Sequence, residues 1–374
     1  MSNIAECKAT LRLEPISPSR VFVWSGNYLI RGLEFLIDGN EILILKNDLV
    51  IDELARAGIT TEEPVKLMER VRDLVRRGRD RFVRLSADLS KLGISSNVNR
   101  VMDINPYVVP ASELKGLIRT AVLNYKLQHV SSQERQRVYN EVLGRLRNAH
   151  GRKSLVTVAQ PVEKLLKTEV RMGTRPYEYD SLNRLRISDP IDYEKATLEF
   201  TEIQTWDRDG SIVAVNHVIA WVGNSLTYDL VIQKPPSYPN HYNNIREKDS
   251  EVTCNLIKDS LRELSNYLVR TEIEKVNSFI KDARNRNRAV ELQQYLNFLT
   301  YDLSHKCGDD CLCVRIGMFT GHEAKTVAVN DQVSKVREIV MSSIYHHTWD
   351  SKTLKVARIP GGFIGMGWVR LCLQ

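Results

Sequence analysis

The sequence predicts an α+β protein with a ferredoxin-like core and large insertions. Three observations predict it. Residues 8–14 (Lys-Ala-Thr-Leu-Arg-Leu-Glu) alternate polar and apolar, as a strand with one buried face does. Residues 110–125 place Leu114, Leu117, Ile118, Ala121, Val122 and Tyr125 at helical spacing on one stripe. Leu198–Trp206 and Ile212–Val222 read as strands about Asp209-Gly210, and Leu226–Gln233 as a third. Residues 250–300 then read as helix and Trp368–Leu373 as a closing strand. Strand, helix, two strands, helix, strand is the ferredoxin-like order.

The remaining elements follow along the chain. Pro15, Ser17 and Pro18 end the first strand, and Arg20 to Gly26 form a turn. Leu33–Asp38 and Glu41–Leu45 make a hairpin around Asp38-Gly39-Asn40. Residues 64–90 read as a basic helix and 112–149 as mostly helical. Residues 155–190 read as irregular, with Gly173, Pro176 and Pro190 among tyrosines and arginines. Pro235, Pro236 and Pro239 mark a linker, so the expected division is 1–234 and 235–374. The second part holds the helical segment, a glycine-bearing turn at Arg315–Thr326, a helix near 331–344 and the closing strand.

Composition narrows the class. The chain has 374 residues, 43% hydrophobic and 26% charged, as in globular proteins outside membranes. No apolar run approaches the about 18 residues of a spanning helix. The first residues carry no signal-peptide pattern. The expected compartment is the cytoplasm, with no membrane partner. Net charge is +7 and the pI about 9.0, so distribution matters more than the sum. Residues 66–84 hold eight bases against three acids, and 281–288 hold Lys281, Arg284, Arg286 and Arg288 against Asp282. Such stripes suit phosphate backbones, because a guanidinium can fork two hydrogen bonds onto one phosphate. A solvated face laced with salt bridges explains either run equally well.

The start of the helix at 110–125 carries the sharpest chemical signal. Ser112 reads as its N-cap. Lys115 and Arg119 sit four apart on another face, and a lysine in the first turn opposes the helix dipole. An anion at the helix N-terminus removes that misfit. An ordinary capped helix with two solvated bases is the alternative. Gly116 lets a backbone approach closely.

Six cysteines are spread over the chain, three of them in His305-Lys-Cys307-Gly-Asp-Asp-Cys311-Leu-Cys313. One imidazole and three thiolates suit tetrahedral zinc. Buried or unbonded thiols rank ahead of zinc in that compressed loop, and zinc ahead of a loop disulfide.

Taken together, these motifs resemble the RAMP proteins of type III-A CRISPR effector complexes, and among them the family of subunit five of the Csm complex. Ile16-Ser17-Pro18 through Val23-Trp24-Ser25-Gly26 is similar to the family's first turn. Pro110-Ala-Ser-Glu-Leu-Lys-Gly-Leu-Ile-Arg-Thr-Ala121 is similar to its Pro-Gly-Ser-Ser-Ile-Lys-Gly-x-x-Arg-Thr-Ala helix start. Ile187-Ser188-Asp189, the turn from Arg315-Ile316-Gly317 through Gly321 to Lys325-Thr326, and Gly367-Trp368-Val369-Arg370-Leu371 follow in the family's order. Ala111 replaces a usual glycine, and the 315–326 turn has two glycines.

The resemblance implies an RRM-like (Cas7-like) core whose 155–190 insertion is a thumb. It implies a non-catalytic subunit that holds crRNA near its 3′ end and meets target single-stranded RNA. Other RAMP subunits are implied as neighbours, outside host nucleases as trimmers of the guide, and no cofactor. Carried onto this chain, it assigns phosphate contacts to Ser112, Lys115, Gly116 and Arg119. Gly317, Gly321 and Lys325 form a second cradle, with Ser17 and Arg20 beside it. The thumb offers Arg171, Arg175, Arg184 and Arg186 interleaved with Tyr177 and Tyr179, a mixture that suits stacked single-stranded RNA. The alternative is a metal-independent endoribonuclease acting through His346 and His347, since some RAMP relatives cut RNA with a histidine. His217 and His322 are lone, and the sequence has no P-loop, His-Glu-x-x-His or Gly-x-Ser-x-Gly pattern.

Overall fold

β1 (Ala5–Pro15) is the strand around which the first sheet is organised. It pairs antiparallel with β12 (Leu226–Gln233) on one side and with β16 (Trp368–Leu373) on the other. β9 (Leu185–Ile187) adds beyond β12 and β13 (Cys311–Arg315) beyond β16, all antiparallel, giving the order β13-β16-β1-β12-β9. The computed structural model describes residues 5–59, 63–147, 160–172, 175–234, 251–284, 286–308, 310–321 and 353–374. The alternation read in β1 is real: Leu11 and Leu13 are buried, while Lys8 and Arg12 are exposed.

The buried face of that sheet is covered by α4 (Ala111–His129), whose Leu114, Leu117, Ile118, Ala121 and Val122 join Leu11, Leu13, Tyr228 and Leu230 in one core. The Tyr228 hydroxyl donates to the Val109 carbonyl at 2.7 Å and pins the start of α4 to β12. Tyr125 is half-buried and stacks on His129, while Leu127 beyond it is buried with Val138 and Tyr139. α5 (Ser132–Arg147) follows. The long α7 (Cys254–Asp282) packs against α4 and β13, and Thr253 caps it by accepting from the Leu256 N–H. α8 (Arg286–Asn297) continues that layer and ends in a π-turn at Phe298–Asp302, with α9 (Leu303–Lys306) beyond.

A second sheet has the order β15 (Gly362–Gly365), β14 (Thr353–Ile359), β10 (Thr197–Asp207), β11 (Ile212–Gly223), β6 (Val101–Ile104), β2 (Trp24–Leu29). Between β2 and β6 lies an insert built on a three-stranded sheet, β3 (Phe35–Asp38), β4 (Glu41–Leu45) and β5 (Val83–Asp88). Its Phe35, Ile42 and Ile44 join the main core. Leu36, Leu43 and Leu45 face a separate core with Val50 and Leu54 of α1 (Asn47–Arg56) and Val71 and Val75 of α2 (Pro64–Arg77).

Three expectations change. The basic helix read over 64–90 stops at Arg77. Gly78 closes it, α3 (Arg79–Phe82) is one turn, and the chain becomes β5, because Val83–Asp88 gains a ladder with β4. The turn read at 20–26 runs into β2 at Trp24. The irregular segment contains α6 (Gln160–Glu163) and an ordered hairpin, β7 (Lys167–Met172) with β8 (Arg175–Asp180), in which Pro176 is tolerated because the sheet has only two strands. The linker prolines and the 331–344 helix lie outside the described residues. Among the described residues no helix is long and apolar enough to cross a membrane.

One polar ladder in the second sheet carries a pH signature. Glu202 on β10 is opposite His217 on β11 and accepts from Arg358 Nε and Gln204 Nε2, each at 2.8 Å. Burial alone would raise this carboxyl. The hydrogen bonds from His217, Arg358 and Gln204 outweigh burial and hold it at about 2, against an ordinary 4.5. A depressed acid stabilises the fold fully above its unfolded value, so this contribution should fade as pH falls from 4.5 toward 2. Thermal unfolding followed against pH should lose part of its acid slope in Glu202→Gln. An unchanged slope would show that the ladder is not the source.

Candidate functional site

The two motifs read as RNA cradles meet in space. Ser112, Glu113, Gly116, Leu117 and Thr120 on α4 face Arg315, Ile316, Gly317 and Thr320 across a cleft of 240 Å³. The helix supplies positions 112, 116 and 120 because residues four apart share a face. Opposite them, the chain leaves β13 and turns sharply at Gly317, whose φ of +92° favours glycine. A Cβ at Gly317 would overlap the Phe22 carbonyl, the acceptor of the Met318 N–H at 2.7 Å. Gly317→Ala should cost about 1–3 kcal/mol from its backbone conformation alone. A chemical-denaturation midpoint equal to wild type would contradict that tight turn.

Gly116 does the opposite job. It is exposed, and a Cβ there would meet nothing within 4 Å, so its missing side chain keeps the cleft open. The lining carries hydroxyls at Ser112, Thr120 and Thr320, one acid at Glu113 and one base at Arg315. The Arg315 charge is already paired: its Nη1 lies 2.6 Å from Glu272 Oε2, its Nε donates to Met366 O, and its guanidinium lies 5.3 Å from the Trp368 ring centroid. The cleft therefore offers backbone and hydroxyl groups more than net positive charge.

The structure corrects the reading of the helix start. Ser112 makes no capping bond, and Pro110 occupies the cap position. The anion that satisfies this end is a side chain of the protein: Asp189 Oδ1 accepts the Ala111 N–H at 2.8 Å. Asp189 belongs to the Ile187-Ser188-Asp189 motif, whose role the sequence did not reveal. Lys115 and Arg119, read as phosphate ligands, turn toward the protein. Lys115 Nζ donates to Leu185 O at 3.0 Å, and its pKa is pushed down by burial and then by the nearby Arg186. Arg119 forms ion pairs with Glu163 and, at 2.6 Å, with Asp180. The reason is topological, because Glu163, Asp180 and Leu185 at the root of the hairpin lie against this face of α4.

The other candidates divide. Arg184 is buried, paired with Glu6 and donating to the Gln233 carbonyl, so it holds the sheet edge. Arg20 is mostly buried beside Glu199 at 2.8 Å and donates to Pro18 O. Ser17 offers its carbonyl to Lys306 Nζ at 2.9 Å. Arg186 is exposed on the edge strand β9. Arg171 and Arg175 lie in the strands of the hairpin near its turn. Gly321, with φ +86°, follows the cleft, while Lys325, His322, His346 and His347 lie outside the described residues. The basic run at 281–288 serves packing in part: Arg288 covers the Trp206 ring at 4.4 Å and Arg284 lies 3.9 Å from Asp209. The bases of α2 are different. Lys66, Arg70, Arg72, Arg76 and Arg77 are all exposed on the insert.

The zinc set does not assemble. Cys307 bonds Cys313, Cys311 bonds Cys372 and Cys7 bonds Cys254, while His305 Nδ1 lies 2.6 Å from the Tyr301 carbonyl. Among the described residues no cluster could hold a metal ion. The disulfide ranked last at the loop is what the fold contains. Cys311 takes a partner outside the loop because β13 pairs with β16 and places it opposite Cys372.

No protein-family model matches this chain, and no curated protein matches it. Solved structures do. A chain of the cryo-EM structure of a Csm-crRNA-target RNA ternary complex in a type III-A CRISPR-Cas system is similar with TM-score 0.60 at 17% identity, over 98% of this chain and 100% of that one. The crystal structure of T. onnurineus Csm5 is similar with TM-score 0.51 at 13% identity, over 96% of this chain and 99% of that one. At these identities the likeness establishes a shared fold.

Proposed function

We propose that this chain is a non-catalytic crRNA-binding subunit of a type III-A (Csm) CRISPR effector, seated near the 3′ end of the guide at the head of the assembly. The observation that carries this reading is the fold match along the full length of both chains to a structure of a crRNA- and target-bound Csm complex. The likeness to Csm5 supports assignment to that subunit, and the terminal position is what the motif resemblance implies. The strand order β16-β1-β12-β9 with α4 on its buried face supports an RRM-like reading of the core.

In this reading the guide backbone lies in the cleft between α4 and the Gly317 turn. Ser112, Gly116 and Gly317 let the sugar–phosphate chain approach closely, and hydroxyl groups of the cleft meet ribose and phosphate oxygens. Arg186 supplies charge beside it. The β7–β8 hairpin, with Arg171 and Arg175, is the thumb against which a base is displaced. The exposed bases of α2 add a diffuse field that draws RNA to the surface. Other RAMP subunits continue the filament, target RNA pairs with the held guide, and host nucleases trim what protrudes.

Co-expression with a CRISPR array and the other Csm subunits tests this. The chain should co-purify with guide RNA, and guides from complexes lacking it should have altered 3′ ends. Purified protein incubated with repeat RNA without metal should leave it intact. Cleavage lost in His346→Ala or His347→Ala would overturn the non-catalytic reading. Absence of guide RNA from every complex containing the chain would overturn the binding reading.

A further inference from the structure

We propose that Arg119 is a positioning residue that clamps both ends of the β7–β8 hairpin to α4 and does not itself touch RNA. The proposal rests on the reading of the neighbouring cleft as an RNA site. Glu163 ends α6, just before β7, and Asp180 ends β8. The register Lys167↔Asp180 puts the two ends of the hairpin side by side. One guanidinium reaches both: Arg119 Nη2 donates to Glu163 Oε2, and Nη1 donates to Asp180 Oδ2 at 2.6 Å. A planar fork holds two carboxylates at a fixed separation, which a lysine ammonium can bridge only with looser geometry.

The surroundings point the same way. The hairpin forms its own two-stranded sheet, so no larger ladder fixes its direction, and such a ribbon is marginal alone. Its base is closed by Ser181, whose N–H and hydroxyl both donate to Leu166 O. One turn before Arg119, Lys115 holds Leu185 just beyond the hairpin. α4 thus turns Ser112, Gly116 and Thr120 to the cleft and Lys115 and Arg119 to the hairpin root. The angle between cleft and hairpin is set by one helix. Two carboxylates beside Arg119 also outweigh its charge, with Lys167 at 4.0 Å from Glu163 restoring balance.

The test compares Arg119→Ala with the double variant Glu163→Gln plus Asp180→Asn, in the full chain. Hydrogen exchange over residues 167–180 is read without RNA, and affinity for a single-stranded guide RNA is read by anisotropy. A clamp predicts that both variants raise hairpin exchange about tenfold or more, since one deletes both charge-assisted bonds and the other takes the charge from both acceptors. It also predicts that both shift RNA affinity in the same direction. Arg119→Lys should restore part of the protection. A phosphate ligand predicts opposite affinity shifts, because the double variant frees the cation that Arg119→Ala deletes. Opposite shifts, or wild-type exchange in both variants, would overturn the clamp. Asp180→Asn alone keeps the test valid should Arg119→Ala fail to fold, because its exchange must still rise. Wild-type protein that binds no RNA at any salt concentration would instead remove the RNA reading, and the exchange measurement would still decide whether Arg119 holds the hairpin.

Discussion

Gly116→Leu should abolish or sharply weaken guide binding without lowering the melting temperature. The position is exposed in mid-helix, and a Cβ there meets nothing within 4 Å. A leucine would therefore fit the fold while filling much of the 240 Å³ cleft. Excluding one or two charge-assisted hydrogen bonds to a ligand removes about 1.5–3 kcal/mol each. That corresponds to at least about tenfold in affinity. Gly116→Ala is the matched control. It should stabilise the helix by about 1 kcal/mol, since glycine is the poorer helix former, and leave most of the cleft open. Leucine and alanine variants that bind RNA equally well would place the guide elsewhere.

The largest loss of stability should follow Glu272→Ala. Glu272 on α7 and Arg315 on β13 form an ion pair with side chains 3% and 4% exposed. Tyr295 donates to Glu272 Oε1 at 2.8 Å, and Trp368 Nε1 donates to the Tyr295 hydroxyl at 3.1 Å. Burial, then the neighbouring Glu272, pushes the Tyr295 pKa well up, so the phenol stays protonated and keeps donating. Removing one partner of such a pair leaves an uncompensated buried charge and costs about 3–5 kcal/mol. Replacing both Glu272 and Arg315 by methionine should recover most of that loss, because an apolar pair of similar volume carries no desolvation penalty. Urea unfolding of the two variants separates the cases. A double variant as unstable as the single would assign the loss to packing rather than charge.

How much of this was legible in the sequence depends on the range of the interaction. α4 was legible because its core contacts repeat every turn, and β1 because its neighbours bury only alternate side chains. The hairpin at Asp38-Gly39 was legible because a turn is local. The cradle was legible through its motifs, and the fold brings Gly116 and Gly317 together across about half the chain. What stayed hidden was the fate of the charges. Arg119 looks solvated by spacing, yet its carboxylates lie 44 and 61 positions away. Asp189 caps α4 from 78 positions away. The four-residue strands β6 and β15 have too few residues to show a period, and their ladders decide them. α2 ends at Gly78, a local stop signal that the long basic run hides, and β4 offers the residues beyond it an edge.

The insert between β2 and β6 leaves and rejoins the sheet at Leu29 and Val101, which stand directly opposite one another. The gap its two ends must bridge is therefore one strand spacing, whatever length of chain hangs between them. Growth or shrinkage of this cassette changes only loop-closure entropy, by about 0.6 kcal/mol per doubling. Its footprint on the rest of the molecule includes Phe35, Ile42 and Ile44. Proteins sharing this architecture can diversify here, exchanging one charged outer surface for another, provided those inward-facing side chains still fit.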